Sequence, residues 1–84
     1  MGMIQMDVRQ EIARFAGIME KKMRAHDDDR GYDWKGEDWS YLIERMREEI
    51  TELEEALSSS DHQSISEEAA DVANFAMMIS DIYG

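Results

Sequence analysis

Apolar residues recur every three or four positions in three separate segments of the chain, which is the spacing of one face of an α-helix. The first segment places them at Ile4, Val8, Ile12, Phe15, Met19 and Met23. The second places them at Trp39, Leu42, Ile43, Met46, Ile50, Leu53 and Leu57. The third runs from Ser64 almost to the last residue. Because no segment alternates as a β-strand does, the pattern predicts an all-α fold with three helices per chain.

Two polar stretches separate these segments, at residues 26–38 and 58–64, and the chain contains no proline. Asp7 with Gln10, and Ser64 with Glu67, have the spacing of a capping box, so they predict the starts of the first and third helices. The second stretch would leave a loop of six or seven residues. A loop this short predicts that the second and third helices form a hairpin.

The length of 84 residues predicts one domain, spanning residues 1–84. A chain of this size buries only a modest core, and it has no cysteine with which to form a disulfide or a thiolate zinc site. We therefore expect the chain to oligomerise, which would bury further apolar surface.

The formal net charge of −11 argues against binding to a nucleic-acid polymer, since such proteins contact phosphates with Lys and Arg. The same charge suits a cation-binding protein, an acidic decoy or simply a soluble protein. There is no apolar run of 18 residues and no signal-peptide pattern, so we expect a cytoplasmic protein without a membrane segment.

Four acidic residues lie on or near the predicted apolar faces. Glu49 and Glu52 follow the edge of the second stripe, Glu68 falls within the third, and Asp71 lies at its edge. In a hairpin these carboxylates can converge, and their repulsion then requires protons or cations. Oxygen ligands of this kind suit Mg²⁺ or Mn²⁺. A di-iron site would need Glu-x-x-His pairs, which the chain lacks.

Simpler interpretations of these acids remain open at the level of sequence. Glutamate-rich helices are commonly solvated, and Glu49 could pair with Arg45 one helical turn earlier. Glu68 could instead stabilise the start of its own helix, where acidic side chains are favourable. The combination of two acid pairs, each beside an apolar face, favours a site.

The segment "EEITEL" at residues 48–53, followed after a spacer by "EEAADVANFAMM", resembles the MazG-like all-α nucleoside triphosphate pyrophosphohydrolases. That superfamily carries Glu-Glu-x-x-Glu and then Glu-x-x-Asp. The resemblance implies an Mg²⁺-dependent enzyme that cleaves an NTP or dNTP to the monophosphate and pyrophosphate. It also implies four-helix bundles formed by oligomerisation. The metal ligands would be Glu49, Glu52, Glu68 and Asp71, and the catalytic residues Glu48, Glu49 and Glu52.

Other residues are candidates for contact with the nucleotide. Asn74 lies one turn beyond Asp71, and could instead face solvent or bond to another helix. Trp34 could stack on a base, whereas Trp39 falls on the apolar stripe and is expected in the core. The cations that could contact phosphate are Lys35, Arg30, Lys21, Lys22 and Arg24.

A second function from a different class accounts for the charge equally well. The chain could be a small acidic helical interaction protein, either an adaptor or a nucleic-acid mimic, without catalysis. This interpretation gives no reason for Glu68 to lie within an apolar arc. It would also leave the stability of the protein insensitive to divalent ions.

Overall fold

The computed structural model describes residues 7–30 and 34–84, with the side chains of residues 7–27 and 34–84. Helix α1 spans Gln10–Arg30, a 3-10 turn spans Trp34–Gly36, α2 spans Trp39–Ser59 and α3 spans His62–Tyr83. No strand occurs within these two ranges, which confirms the prediction of an all-α chain with three helices. Ile4, at the start of the first apolar pattern, lies outside the described residues.

Both predicted capping boxes are wrong. Helix α1 begins at Gln10, and the carbonyl of Arg9 accepts its first bonds from the backbone of Ile12 and Ala13, each at 3.1 Å. Helix α3 begins three residues earlier than predicted, because Asp61 caps it. The Asp61 carboxylate accepts from the Ser64 backbone N–H at 3.3 Å and from the Ser64 hydroxyl at 2.8 Å.

The choice of Asp61 over Ser64 as the cap has a physical reason. A carboxylate accepts charge-assisted hydrogen bonds and also interacts favourably with the positive end of the helix dipole. The two hydrogen bonds from Ser64 lower the pKa of Asp61, which keeps that carboxylate ionised. Ser64 therefore lies inside the first turn of α3.

Only Ser60 and Asp61 link α2 to α3, so the predicted loop of six or seven residues was too long. Ser59 is the last residue of α2, and its hydroxyl donates to the carbonyl of Glu55 at 3.0 Å. Ser60 then ends α2 in the left-handed conformation, with φ 54° and ψ 34°. The sharp turn folds α3 back along α2, so the predicted hairpin is confirmed.

Helix α3 packs against both α2 and α1, whereas α1 and α2 have no close backbone contact within the described ranges. The buried core is small, and its apolar members are Leu42, Ala56, Ala70 and Met78. The alanines let α2 and α3 approach closely.

Apolar side chains on the outer side of α2 remain uncovered in the single chain. Trp39 is 56% exposed, and Ile50 and Leu57 are also exposed. The prediction that Trp39 packs in the core is therefore wrong for the isolated chain. Among the described elements α2 packs against α3 alone, so only part of its apolar stripe is buried.

Polar contacts fix the C-terminal end of α3 against the start of α2 and the 3-10 turn. The Tyr83 hydroxyl accepts from the backbone N–H of Trp39 at 3.1 Å and donates to the carbonyl of Glu37 at 3.3 Å. Lys35 pairs with Asp81 at 2.9 Å, which holds the 3-10 turn beside the same end of α3. None of the described helices combines the length and hydropathy needed to cross a bilayer.

Candidate metal centre

Three carboxylates from two helices meet near the middle of the hairpin. One oxygen each from Glu49 of α2 and from Glu68 and Asp71 of α3 lie within 4.8 Å of one another. The antiparallel register explains the meeting: Arg45 lies against Phe75, and one turn further along α2 Glu49 reaches Asp71. Because Glu68 precedes Asp71 by three residues, both project from one side of α3. We call Glu49, Glu68 and Asp71 the acidic cluster.

Glu49 is the most deeply placed member of the acidic cluster. Its side chain is only 10% exposed. Burial raises the pKa of Glu49 to about 8, with further contributions from a hydrogen bond to Glu52 and from the charges of Glu52, Asp71 and Glu68. The cluster therefore favours a proton or a cation at Glu49 near neutral pH.

The pKa of Glu68 is also raised. Burial, followed by the charges of Glu52 and Asp71, raises its pKa, while a hydrogen bond with Glu49 and the charge of Lys22 oppose the rise. Its Oε2 atom is buried and has no hydrogen-bond partner among the described residues. A buried carboxylate oxygen without a partner is costly, so a ligand at this atom would be stabilising.

Two basic side chains contact the acidic cluster from opposite sides. Lys22 of α1 lies 3.3 Å from Asp71, and this ion pair is largely shielded, with side-chain exposures of 28% and 13%. Arg45 of α2 lies 3.5 Å from Glu49 and also pairs with Glu48. The i,i+4 pairing of Glu49 with Arg45, left open by the sequence, is thus present together with the cluster.

The two other glutamates of the motif lie outside the acidic cluster. Glu52 is exposed and lines a shallow groove on the solvent side, which it shares with Glu68. Its charge nevertheless acts on both Glu49 and Glu68, as their raised pKa values show. Glu48 is exposed and pairs with Arg45. Their roles as ligand and catalytic residues stay predictions.

A cleft opens directly beside the acidic cluster, between α1 and α2. It forms because these two helices flank α3 without close backbone contact between their described residues. Glu49 and Asp71 belong to its wall, and Arg45 lies over the Phe75 ring at 5.4 Å from its centre. The remaining lining residues are Met23, His26, Asp27, Trp34, Tyr41 and Met78.

The cleft contains two residues whose place sequence reasoning missed, Tyr41 and Phe75. Tyr41, Arg45 and Glu49 are spaced by four residues along α2, so one face of that helix carries all three. Extending the acid-bearing face of α2 backward by two turns would have found Tyr41. Phe75 lies within the second motif segment on α3, and the sequence did not predict it as a cleft residue.

The residues predicted to contact the nucleotide lie in different environments. Trp34 lines the cleft, and the Lys35 ammonium lies 4.7 Å from the centre of its ring. Asn74 is buried and donates its Nδ2 to the carbonyl of Met19 at 3.1 Å, so it joins α3 to α1. This bond is the interhelical role that the sequence had left open for Asn74. Its contact with a nucleotide stays a prediction.

The other candidate cations are dispersed. Arg24 pairs with Glu20 on the surface of α1 at 2.9 Å, and Lys21 is exposed in a groove between α1 and α3. The Arg30 side chain lies outside the described part of the structure. His26 and His62 are exposed, and His26 also borders the cleft.

A comparison with known protein families finds a match that covers the region containing this site. The family model described as phosphoribosyl-ATP pyrophosphohydrolase matches residues 13–81, which include the acidic cluster and the cleft. The chain belongs to this family. The family is a MazG-like all-α pyrophosphohydrolase type, so the resemblance seen in the glutamate motifs is confirmed. No curated protein and no solved structure shows significant similarity to the chain.

Proposed function

We propose that this protein is an Mg²⁺-dependent pyrophosphohydrolase that cleaves the triphosphate chain of a nucleotide between the α and β phosphates. The products would be a nucleoside monophosphate and pyrophosphate. The observation that carries the proposal is the acidic cluster. Its three carboxylates, one from α2 and two from α3, share one partly buried site within a pyrophosphohydrolase family domain.

The residues present fit a hard divalent ion. The cluster offers oxygen ligands alone, which Mg²⁺ and Mn²⁺ prefer, and Glu68 contributes a buried oxygen without a hydrogen-bond partner. Glu49, Glu68 and Asp71 would hold the ion, with Glu52 available from the exposed side. Bound magnesium supplies positive charge that offsets the charge of the phosphates in the transition state.

The carboxylates also suit proton transfer. We propose that Glu49, once a bound cation keeps it ionised, orients the attacking water or accepts a proton from it. Glu52 hydrogen-bonds to Glu49 and faces solvent, so it is placed to accept or pass on a proton from an entering water. Glu48 holds Arg45 at the edge of the cleft, and we propose that it acts through this arginine.

The cleft supports a nucleotide as the substrate. Its aromatic lining suits a base, and its shared wall with the acidic cluster would place a triphosphate chain beside the carboxylates. Nucleoside triphosphates, their deoxy forms and phosphoribosyl-ATP all carry such a chain on a nucleoside. We propose Trp34, Lys35 and Asn74 as further contact residues.

We also propose that the active form is a homodimer or homotetramer. The exposed apolar residues of α2, among them Trp39, Ile50 and Leu57, lie where a helix of a second copy would bury them. The resemblance to the MazG-like pyrophosphohydrolases implies four-helix bundles formed in this way. Sedimentation velocity would test this part, and a monomer at micromolar concentration would contradict it.

The activity is tested by measuring pyrophosphate release with Mg²⁺ across ribonucleotides, deoxyribonucleotides and phosphoribosyl-ATP. We expect release from at least one of them, abolished by EDTA and reduced more than a hundredfold by Glu68→Gln or Asp71→Asn. Glu54→Gln is the matched control, because Glu54 is exposed on α2 outside the cluster. Release that persists in the cluster variants would overturn the proposal, and so would its absence with every nucleotide.

A further inference from the structure

Two basic side chains of the protein already form ion pairs with the acidic cluster. Lys22 pairs with Asp71 at 3.3 Å, and Arg45 pairs with Glu49 at 3.5 Å. These two side chains come from different helices and approach the cluster from α1 and α2, while Glu68 keeps an oxygen without a partner. The basic side chains therefore compete with a divalent ion for two of the three carboxylates.

The balance of charge shows what an added ion would do. When ionised, the three carboxylates carry three negative charges, against one positive charge each on Lys22 and Arg45. A divalent ion bound at the same carboxylates would repel the ammonium of Lys22 and the guanidinium of Arg45, because all three carry positive charge. A polyanionic phosphate chain beside the cluster would then be the natural partner for both side chains.

Both side chains can reach such a chain without refolding. Arg45 lies in the wall of the cleft, over the Phe75 ring, where it borders the acidic cluster and the aromatic residues alike. Lys22 has a flexible stem, and its ammonium lies 3.3 Å from Asp71, which belongs to the wall of the same cleft.

We propose that Lys22 and Arg45 act as exchangeable counter-ions: they neutralise the acidic cluster in the absence of metal and move to the substrate phosphates when the divalent ion binds. This inference rests on the proposed function and identifies two positioning residues within the same site. It makes metal and nucleotide binding cooperative, because each ligand removes a cost of binding the other.

The proposal predicts changes of opposite sign in two binding measurements on one variant. Lys22→Met removes the competitor at Asp71, so Mn²⁺ should bind on the order of tenfold more tightly without nucleotide. The same variant should bind α,β-methylene-ATP on the order of tenfold more weakly with saturating Mg²⁺, because a phosphate contact is lost. A residue that only supported the fold would not shift the two affinities in opposite directions.

Matched variants separate this effect from a general change in charge. Arg14→Met removes one exposed charge from α1, and Arg47→Met does the same on α2, where it serves as the control for Arg45→Met. Neither control should move either affinity appreciably, since exposed distant charges are screened by salt. Lys22→Arg keeps the charge and should restore wild-type behaviour in both measurements.

Isothermal titration calorimetry of the full chain gives both affinities, with circular dichroism to verify the fold of each variant. Opposite shifts in Lys22→Met, absent in Arg14→Met, would support the exchange. If the wild type binds Mn²⁺ but Lys22→Met behaves like Arg14→Met, the exchange is wrong and the proposed function stands. If Lys22→Met raises Mn²⁺ affinity without weakening the analogue, transfer to phosphate is wrong. A wild-type protein that binds no Mn²⁺ would overturn the exchange and the proposed function together.

Discussion

The carboxylates of Glu49 and Asp71 approach within 4.8 Å of each other although they belong to different helices. Like charges at this separation repel, and the repulsion is stronger where water is partly excluded. The fold tolerates the arrangement because Arg45 and Lys22 each pair with one of the two carboxylates. The hairpin thus keeps two mutually repelling carboxylates close together at the place where a cation would bind.

Without metal, the stability of the protein should fall as the pH rises. Between the usual pKa of 4.5 and about 8, the folded state keeps a proton on Glu49 that the unfolded chain releases. The unfolded state then binds fewer protons, so the free energy of unfolding decreases with pH across this window, by about 1–3 kcal/mol. Urea denaturation in EDTA at pH 5, 6.5 and 8 measures this. A free energy that rises from pH 5 to pH 8 would contradict the assignment.

Replacing Glu49 by glutamine should stabilise the metal-free protein at pH 8. The amide keeps the shape of the side chain and removes the buried charge, so we expect an increase of about 1–2 kcal/mol in the free energy of unfolding. The same variant should lose both the stabilisation by Mn²⁺ and the release of pyrophosphate. Thermal melting with and without Mn²⁺ measures the first loss.

The control for this variant is Glu54→Gln, which removes an exposed charge from the same helix. It should leave the response to Mn²⁺ unchanged. Equal effects of the two substitutions would show that total charge, and not the acidic cluster, determines the stability.

Asn74→Ala should weaken the attachment of α1 to α3. It removes the hydrogen bond from Nδ2 to the carbonyl of Met19 and leaves that carbonyl without this donor, at a cost of about 1–3 kcal/mol. Because the contact is structural, hydrogen exchange should increase in α1 more than in α2. Unchanged protection in α1 would indicate that the amide serves another purpose, such as contact with a nucleotide.

Ser60→Gly should stabilise the turn between α2 and α3. Ser60 adopts φ 54°, a left-handed conformation that glycine enters without the steric cost of a Cβ atom. We expect a gain of about 0.5–1 kcal/mol in the free energy of unfolding. Ser58→Gly, two residues earlier and within α2, should have the opposite sign because glycine weakens a helix. Urea denaturation of the two variants compares them directly.

Much of the fold could be predicted because local patterns specify it. The spacing of Leu42, Ile43 and Met46 already indicates a helix, and the short link before α3 indicates a hairpin. The exact ends of the helices were harder, since Asp61 and Ser64 are both competent caps. The stronger acceptor decided between them, which the capping-box spacing alone did not reveal.

The candidate site was predicted in part. Glu49, Glu68 and Asp71 lie close together, as expected for a hairpin of α2 and α3. Glu52 faces solvent, although its position in the sequence fits the same motif. Glu52 lies three residues beyond Glu49, which turns its side chain about 60° around α2 and out of the buried face. Periodicity alone places Glu52 near the edge of the buried face but does not say on which side of that edge its carboxylate lies.

The sequence by itself determined three helices, a hairpin of two of them, and a pair of glutamate motifs with a family resemblance that the comparison confirmed. These features depend on local spacing and residue type, which the chain carries without folding. Only the tertiary structure decided that Lys22, 49 positions before Asp71, pairs with it, and that Arg45 lies against Phe75 in a cleft. Contacts of this kind depend on how α1 and α2 are oriented on α3, and that orientation results from packing across the whole core.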